Sequence, residues 1–441
     1  MTTQSLTERG RVARRAGIAA AVGTAIEYYD FAIYGYLATV LAPLFFPAKD
    51  GLVGLLGTLG VVAAGFLARP IGGLIFGRIG DKRGRKVVLM ATVTCMGTAT
   101  TLTGLLPTHG SIGVAAPMLL TVLRIVQGIS AGGEIGGATS LSTESAPSRR
   151  RGFFGSATSI GISVGMALAA ASVGTISALT TSAQMHSWGW RVPFLIAAPL
   201  LVAATLYRMR VEDSPLFLRM VKESEPIKAP ITQVFRTHKA SVFRVVGLAY
   251  STMTTGGIAS VYILVHLSAV LKYSLTWSLW LVVLIVLLPL AVIPWTGSLS
   301  DRFGRRRMIS ISMVAFAVLA VPCFLMMQQG SLALAIVAAL VLNIPFAMQQ
   351  GVVYSMYAEL FPTRIRYTGL SIGFNIGGVL GSGTVSMVAT WLVSATGITI
   401  SPAFYVIFGA VVGLVVVAAM RETSGEELDA AAEPVEEVAS A

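Results

Sequence analysis

Apolar runs of about twenty residues recur along this chain from near Gly17 to near Met420, separated by short charged or Pro/Gly-rich breaks. About twenty residues is the length a helix needs to cross the hydrocarbon core of a bilayer. Lipid offers the backbone no hydrogen-bond partner, so each such run is forced to satisfy itself as a helix. Spans are read near 17–42, 53–77, 87–107, 115–142, 153–179 and 191–208, then near 242–269, 277–297, 308–328, 332–357, 367–395 and 402–420. The expected fold is an all-α membrane protein of twelve transmembrane helices in two six-helix halves. Residues 1–16 form an N-terminal segment, 17–208 the first half, 209–240 a central linker, 241–420 the second half and 421–441 an acidic, Ala-rich tail read as solvated and disordered. The first run is too long for a signal peptide and lacks a small-residue cleavage site, so it is expected to remain as a span.

Charge gives the orientation and excludes other classes. Only 12% of residues are charged and mean hydropathy is +0.77, against roughly a quarter charged in soluble domains. A net charge of +12 could suggest nucleic acid, yet the Lys and Arg residues sit in short clusters between apolar runs. All but five of the 32 fall at the termini or in alternate loops, the exceptions being Lys49, Arg191, Lys272, Arg69 and Arg124. The positive-inside rule then puts both termini and the linker in the cytoplasm, with the chain in the plasma or inner membrane. The expected partners are the bilayer, a small solute and protons, with no nucleic acid, and a single chain is expected to suffice. Cys95 and Cys323 read as buried small hydrophobes. No metal or other cofactor is expected: His109, His186 and His238 lie in loops without metal spacing, and His266 in span 7 reads as an interface histidine.

The chain also repeats itself. Gly77-Arg-Ile-Gly-Asp81-Lys-Arg-Gly84-Arg85-Lys86 returns as Gly297-Ser-Leu-Ser-Asp301-Arg-Phe-Gly304-Arg305-Arg306, and the set Glu144, Pro147, Arg151, Gly152 is echoed by Glu359, Pro362, Arg366, Gly369. Two parallel halves related by an axis along the membrane normal account for both echoes, and transporters bind substrate between such halves. In each loop the Asp can accept from a helix N-terminus and pair with nearby Arg, while the Gly residues permit close packing and a tight turn. The expected role of Gly77, Asp81, Gly84 and Arg85, and of Gly297, Asp301, Gly304 and Arg305, is to latch one access state.

This duplicated signature resembles that of the major facilitator superfamily. Glu27-Tyr-Tyr-Asp30-Phe31, Arg69-Pro70-Ile-Gly72-Gly73, Arg124-Ile-Val-Gln127-Gly128, Gly132-Gly133-Glu134 and Trp188-Gly-Trp190-Arg191-Val-Pro193-Phe194 narrow the resemblance to its metabolite:H+ symporter family. Members of that family carry α-ketoglutarate, citrate, shikimate, or proline and betaine, and the stretch from Gly110 to Phe217 is most similar to the shikimate branch. The chain lacks the C-terminal coiled coil of the proline/betaine branch. The resemblance implies proton-coupled uptake of a small organic solute by alternating access, a carboxylate metabolite being the main expectation. Uptake of a zwitterionic osmolyte such as proline or betaine, or efflux by proton antiport, is the alternative.

Charges at membrane depth point to the chemistry, since each costs roughly 2.5–3.5 kcal/mol to insert and is kept for function. Helical spacing puts Glu27, Asp30 and Tyr34 on one stripe of span 1, and Arg124, Gln127 and Glu134 on one face of span 4. Asp30 or Glu134 is the expected proton carrier, Arg124 its ion-pair partner, with Glu27 a third candidate; a permanent structural pair is the competing reading. Arg69 has no acid on its own span, so its partner is either a substrate carboxylate or Asp30 or Glu27 of span 1. Tyr34, Gln127, Tyr250, Asn343 and Gln349 are the further substrate-binding candidates, though Asn and Gln also serve as interhelical glue. No H-E-x-x-H pattern is present, so an enzyme is not expected.

Overall fold

The structure, a computed structural model, describes residues 3–47, 51–223, 230–272 and 275–428, and the regular elements among these are all helices, with no strand. The first half comprises α1 (Thr3–Phe45), α2 (Gly51–Arg83), α3 (Arg85–Leu105), α4 (Ala115–Ser145), α5 (Ala157–Leu179) and α6 (Arg191–Met209). The second comprises α7 (Lys239–Gly257, continued by π-helical and helical turns to Val270), α8 (Leu275–Phe303), α9 (Arg305–Met327), α10 (Leu332–Glu359), α11 (Arg366–Leu380 and Val385–Thr396) and α12 (Ser401–Ala418). Ten of these stretches are long and apolar enough to cross a membrane. The other two are α1, which carries Glu27, Asp30 and four tyrosines, and α7, whose regular helix gives way over 258–270.

Three boundaries differ from expectation. Helix α1 starts at Thr3 rather than near 17, the basic segment before the membrane simply continuing the helix. The linker holds two short helices, Pro215–Glu223 and Pro230–Thr237, and residues 421–428, expected to be solvated, fold back onto the bundle, with Leu428 buried. The remainder of the acidic tail lies outside the described residues. Cys323 is buried as expected, but Cys95 is exposed on the outer surface of α3, where an apolar thiol meets lipid.

Within the first half α1 packs along α5, α2 along α4, and α3 against α4 and α6; the halves meet where α2 runs against α11 and α5 against α8. Small residues bring the backbones together: a Cβ on Gly128 or Gly132 would overlap the carbonyl oxygen of Gly65 or Arg69 across the α2–α4 seam. This is the close approach that membrane helices use in place of a hydrophobic driving force, and it presses Arg69 against α4. At the end of the bundle that carries the linker, the helix pairs α2–α3 and α8–α9 turn on single residues, Gly84 (φ 103°) and Gly304 (φ 96°), a conformation that costs glycine nothing.

Candidate functional site

At membrane depth the buried charges of the first half form three clusters. Asp30 on α1 accepts hydrogen bonds from the Thr100 hydroxyl (2.7 Å), the Gln127 amide (2.9 Å) and Arg124 Nη1 (2.9 Å). The same Arg124 nitrogen donates to Gln127 Oε1 at 2.8 Å, and the guanidinium lies 4.3 Å over the Tyr34 ring, whose hydroxyl is anchored on the Thr58 carbonyl. The expected stripes on α1 and α4 therefore face each other, and Asp30 takes Arg124.

Glu134 does not. It pairs with both guanidinium nitrogens of Arg208 at the end of α6 and accepts from the Thr92 hydroxyl at 2.7 Å, while Arg208 also donates to the carbonyls of Leu89 and Ala19. The expectation that Glu134 shares Arg124 is thus corrected. Two helical turns separate Glu134 from Gln127, enough to carry it to the part of the bundle where α6 ends. Glu27, Asp30 and Glu134 are only 1–3% exposed, so each carboxylate depends on its partner.

Arg69 has an internal partner after all, as its second reading allowed: Glu27 Oε1 lies 3.2 Å from its Nη2. The approach is misaligned, so neither Glu27 oxygen accepts a hydrogen bond, and Arg124 Nη2 is likewise without an acceptor. The Arg69 guanidinium rests 5.4 and 5.0 Å from the centroids of Phe31 and Phe66, which meet edge to face at 4.8 Å. Glu27, Asp30, Phe31, Phe66, Arg69, Arg124 and Gln127 line one cavity between α1, α2, α3 and α4.

The second-half candidates are not joined to that cavity. Asn343 donates to the carbonyls of Ala259 and Ala339 (2.7 and 2.9 Å), and Gln349 accepts from the Thr255 hydroxyl and points its amide at the Met313 sulfur. Tyr250 is half-buried where α7 crosses α11. In this arrangement Asn343 and Gln349 hold helices together. His266 is buried against Phe324 and Tyr262.

The two loop motifs close the linker end of the bundle in matching ways. Asp81 accepts from the backbone amides of Tyr367 (3.2 Å) and Thr368 (2.9 Å) at the start of α11, and Asp301 accepts from those of Gly152 (2.8 Å) and Phe153 (3.0 Å) just before α5. Each motif acid therefore caps a helix of the opposite half, where the helix dipole favours it. Arg85 reaches Glu144 (3.0 Å) and the Thr363 carbonyl (2.7 Å), and Arg366 reaches Glu144 at 2.8 Å. In the second copy Arg305 pairs with Asp301 (2.8 Å) and Glu359 (3.2 Å), while Arg151 donates to the Glu426 carbonyl. A third layer caps α3 and α9: Asp213 accepts from the amides of Arg85 and Lys86, and Glu422 from those of Arg305 and Arg306. Burial pushes the Asp213 carboxyl above its ordinary range, against the pull of the α3 amides and Arg85. Ser214 completes Glu144 as Thr423 completes Glu359.

Sequence reasoning did not select Arg208, Thr92, Thr100, Asp213 or Glu422 as site residues, and it quoted Glu144, Arg366 and Glu359 only as parts of a repeat. A signal existed for some of these. An acid followed by a hydroxyl residue comes soon after the last helix of each half, Asp213-Ser214 and Glu422-Thr423.

Two six-helix halves, acids and guanidiniums buried in pairs between the helices of one, and reciprocal caps locking one end of the bundle together define a multi-pass membrane transporter. A family model for the Major Facilitator Superfamily matches residues 20–366 and 246–439, and the chain belongs to that superfamily. It is 36% identical over 427 residues to the proline/betaine transporter of Escherichia coli (strain K12), covering 95% of this chain and 85% of the relative. It is 37% identical over 436 residues to the glycine betaine/proline/ectoine/pipecolic acid transporter OusA of Dickeya dadantii (97% and 87%). Among solved structures, the proton:xylose symporter XylE bound to 6-bromo-6-deoxy-D-glucose superposes with a TM-score of 0.77 at 18% identity, covering 96% of this chain and 99% of that one. The inward-open XylE of E. coli gives 0.65, also at 18% identity, with coverage of 94% and 97%. These relatives turn the expectation away from a carboxylate metabolite, the main reading of the sequence, and toward its osmolyte alternative.

Proposed function

We propose that the chain takes up a small zwitterionic osmolyte of the proline or betaine kind together with protons, by alternating access. One observation carries the choice of a zwitterion over an anion: the cavity of the first half holds two carboxylates, Glu27 and Asp30, and two guanidiniums, Arg69 and Arg124. Glu27 beside Arg69 and Asp30 beside Arg124 offer carboxylates as well as guanidiniums to a solute that bears both signs. The transport of such zwitterions by relatives of more than 35% identity supports the same reading.

In this scheme Asp30 carries the proton. Desolvation favours its neutral form while Arg124 favours the charged one, so making and breaking that pair moves the proton on and off. Glu134 and Arg208 fix α4 to α6. The linker end faces the cytoplasm, and its caps hold that side closed until substrate and proton shift the equilibrium between access states.

The test is uptake of labelled proline and glycine betaine into proteoliposomes under an imposed pH gradient. Accumulation that collapses with a protonophore and persists without sodium is expected. Uptake of dicarboxylates in preference to both zwitterions, or a sodium requirement, overturns the proposal.

A further inference from the structure

Resting on that reading, the geometry points to a proton route: Glu27 relays the proton from Asp30 to Glu134, three acids stepped along α1 toward the linker end. Each acid has its own arginine, Arg124 for Asp30, Arg69 for Glu27 and Arg208 for Glu134. Glu27 lies one turn before Asp30 on α1, and a Cβ on Gly23, one turn further, would overlap the Glu134 carboxylate and the Arg208 guanidinium. The inner pair therefore sits on α1 in the gap that Gly23 leaves. Neighbouring turns on one helix face are about 5–6 Å apart, a spacing suited to transfer through one water. Helix α3 measures the same ladder independently. Thr100 donates to Asp30, and Thr92, eight residues nearer the linker end, donates to Glu134, a drop of about 12 Å by the helix rise. The seven residues of α1 from Asp30 to Gly23 cover about 10 Å by the same rise.

Glu27 is held differently from the acids on either side of it. Asp30 and Glu134 each accept from a threonine hydroxyl and an arginine, whereas the α3 residue midway between Thr92 and Thr100 is Met96, which offers Glu27 no donor. Both Glu27 oxygens are buried without a hydrogen-bond donor. Glu27 and Met96 line the same cavity of about 20 Å³, which is room for one water. The charges that act on Glu27 are Arg69, Glu134, Asp30 and Arg208, and the Tyr28 and Tyr354 hydroxyls are the other titratable groups in reach of its charge. An acid with unfilled acceptor positions, placed between two better-held acids, is suited to pass a proton on rather than to store it. Neutral Asp30 gives its proton through the water to the Glu27 carboxylate and returns to Arg124 as an anion. Glu27 hands the proton to Glu134 and returns to Arg69, and Glu134 loses it to the cytoplasm when the caps at the linker end open.

The experiment follows labelled proline and internal pH together in proteoliposomes holding the full-length protein, and takes the ratio of net uptake under a pH gradient to proline exchange at equal pH. Exchange needs no net proton release, so it does not use the route, and the ratio does not depend on how much protein folds. Glu27→Gln should lower this ratio by about a hundredfold, the low end of what a positioned proton-transfer group contributes. The number of protons carried with each proline should stay at the wild-type value, because Asp30 still carries them, and this separates a relay from the carrier. Glu27→Asp, which keeps a titratable group, should restore part of the ratio. Glu134→Gln, which keeps one acceptor oxygen for Arg208, should lower the ratio as Glu27→Gln does. A ratio at the wild-type value in either glutamine variant, or a changed proton number in Glu27→Gln, overturns the route while proton-coupled uptake stands. Wild-type protein that accumulates no proline under the gradient overturns the proposed function, and the route with it.

Discussion

The two halves of this bundle share a plan and differ in what they bury. At the linker end they match group for group: Asp81 with Asp301, Glu144 with Glu359, Asp213 with Glu422. At membrane depth they part. The first half buries Glu27, Asp30, Glu134, Arg69, Arg124 and Arg208, whereas the corresponding depth of the second half is held by neutral groups such as Asn343, Gln349 and Thr255. Closing an end of the bundle is a mechanical task that two halves can perform alike. On the function proposed above, moving a proton needs a group whose charge changes, and one half suffices for that.

That asymmetry can be broken most forcefully at Asp30. Asp30→Asn should reduce accumulation of labelled proline against a gradient to simple equilibration, while solute exchange between loaded faces continues, because exchange requires no net proton release. Full uphill accumulation by this variant would move the proton carrier elsewhere. Next in size is stability. Arg208→Met leaves Glu134 with one hydroxyl partner and should cost about 3–5 kcal/mol, as removal of one member of a buried pair does, whereas Asn343→Val in the second half should cost about 0.6–2 kcal/mol, the range for interhelical hydrogen bonds in membranes. Thermal unfolding in detergent compares the two, and equal losses would erase the distinction between the halves.

The matching latches invite a symmetric test. Asp81→Asn and Asp301→Asn should each slow turnover by roughly five- to twentyfold through a shift in the access equilibrium, with solute affinity nearly intact. Cysteines placed near Gly77 or Gly297 should become more reactive from the linker side in both variants. A slow Asp81 variant beside an unaffected Asp301 variant would confine the latch to one half. Smallest are the outer caps: Asp213→Ala and Glu422→Ala should each cost about 1 kcal/mol, the common value of a helix N-cap, and by similar amounts if their roles correspond.

Much of this was legible in the chain. Apolar runs locate the twelve helices because lipid leaves the backbone no alternative, and the repeated Gly and Asp spacing locates both caps between the halves because each needs a residue free to take positive φ and an acid one turn away. Partner choice was not legible. Asp30 and Arg124 could be paired from helical stripes alone, but Glu134 finds Arg208 some 74 residues on, and nothing in the spacing of α4 reveals where α6 ends. Arg69 kept two readings for the same reason: Glu27 meets it across the α1–α2 seam, and the spacing of neither helix reveals how one is rotated against the other. Docking of residues 421–428 was hidden by composition, since an acidic segment reads as solvated until it is known that bare helix N-termini lie beside it.

The reciprocal caps also bear on how the protein is made. Asp81 waits for amides at 367 and 368, and Glu144 for Arg366, so two buried acids of the first half stay incomplete until translation is more than four-fifths done. The opposite debt is short: Asp301 finds its amides at 152 and 153 already synthesised. A ribosome stalled before residue 366 would thus leave a half-built bundle whose linker end cannot close. The nascent first half must be held in the membrane, with charge exposed at its seam, until the second half arrives to cover it.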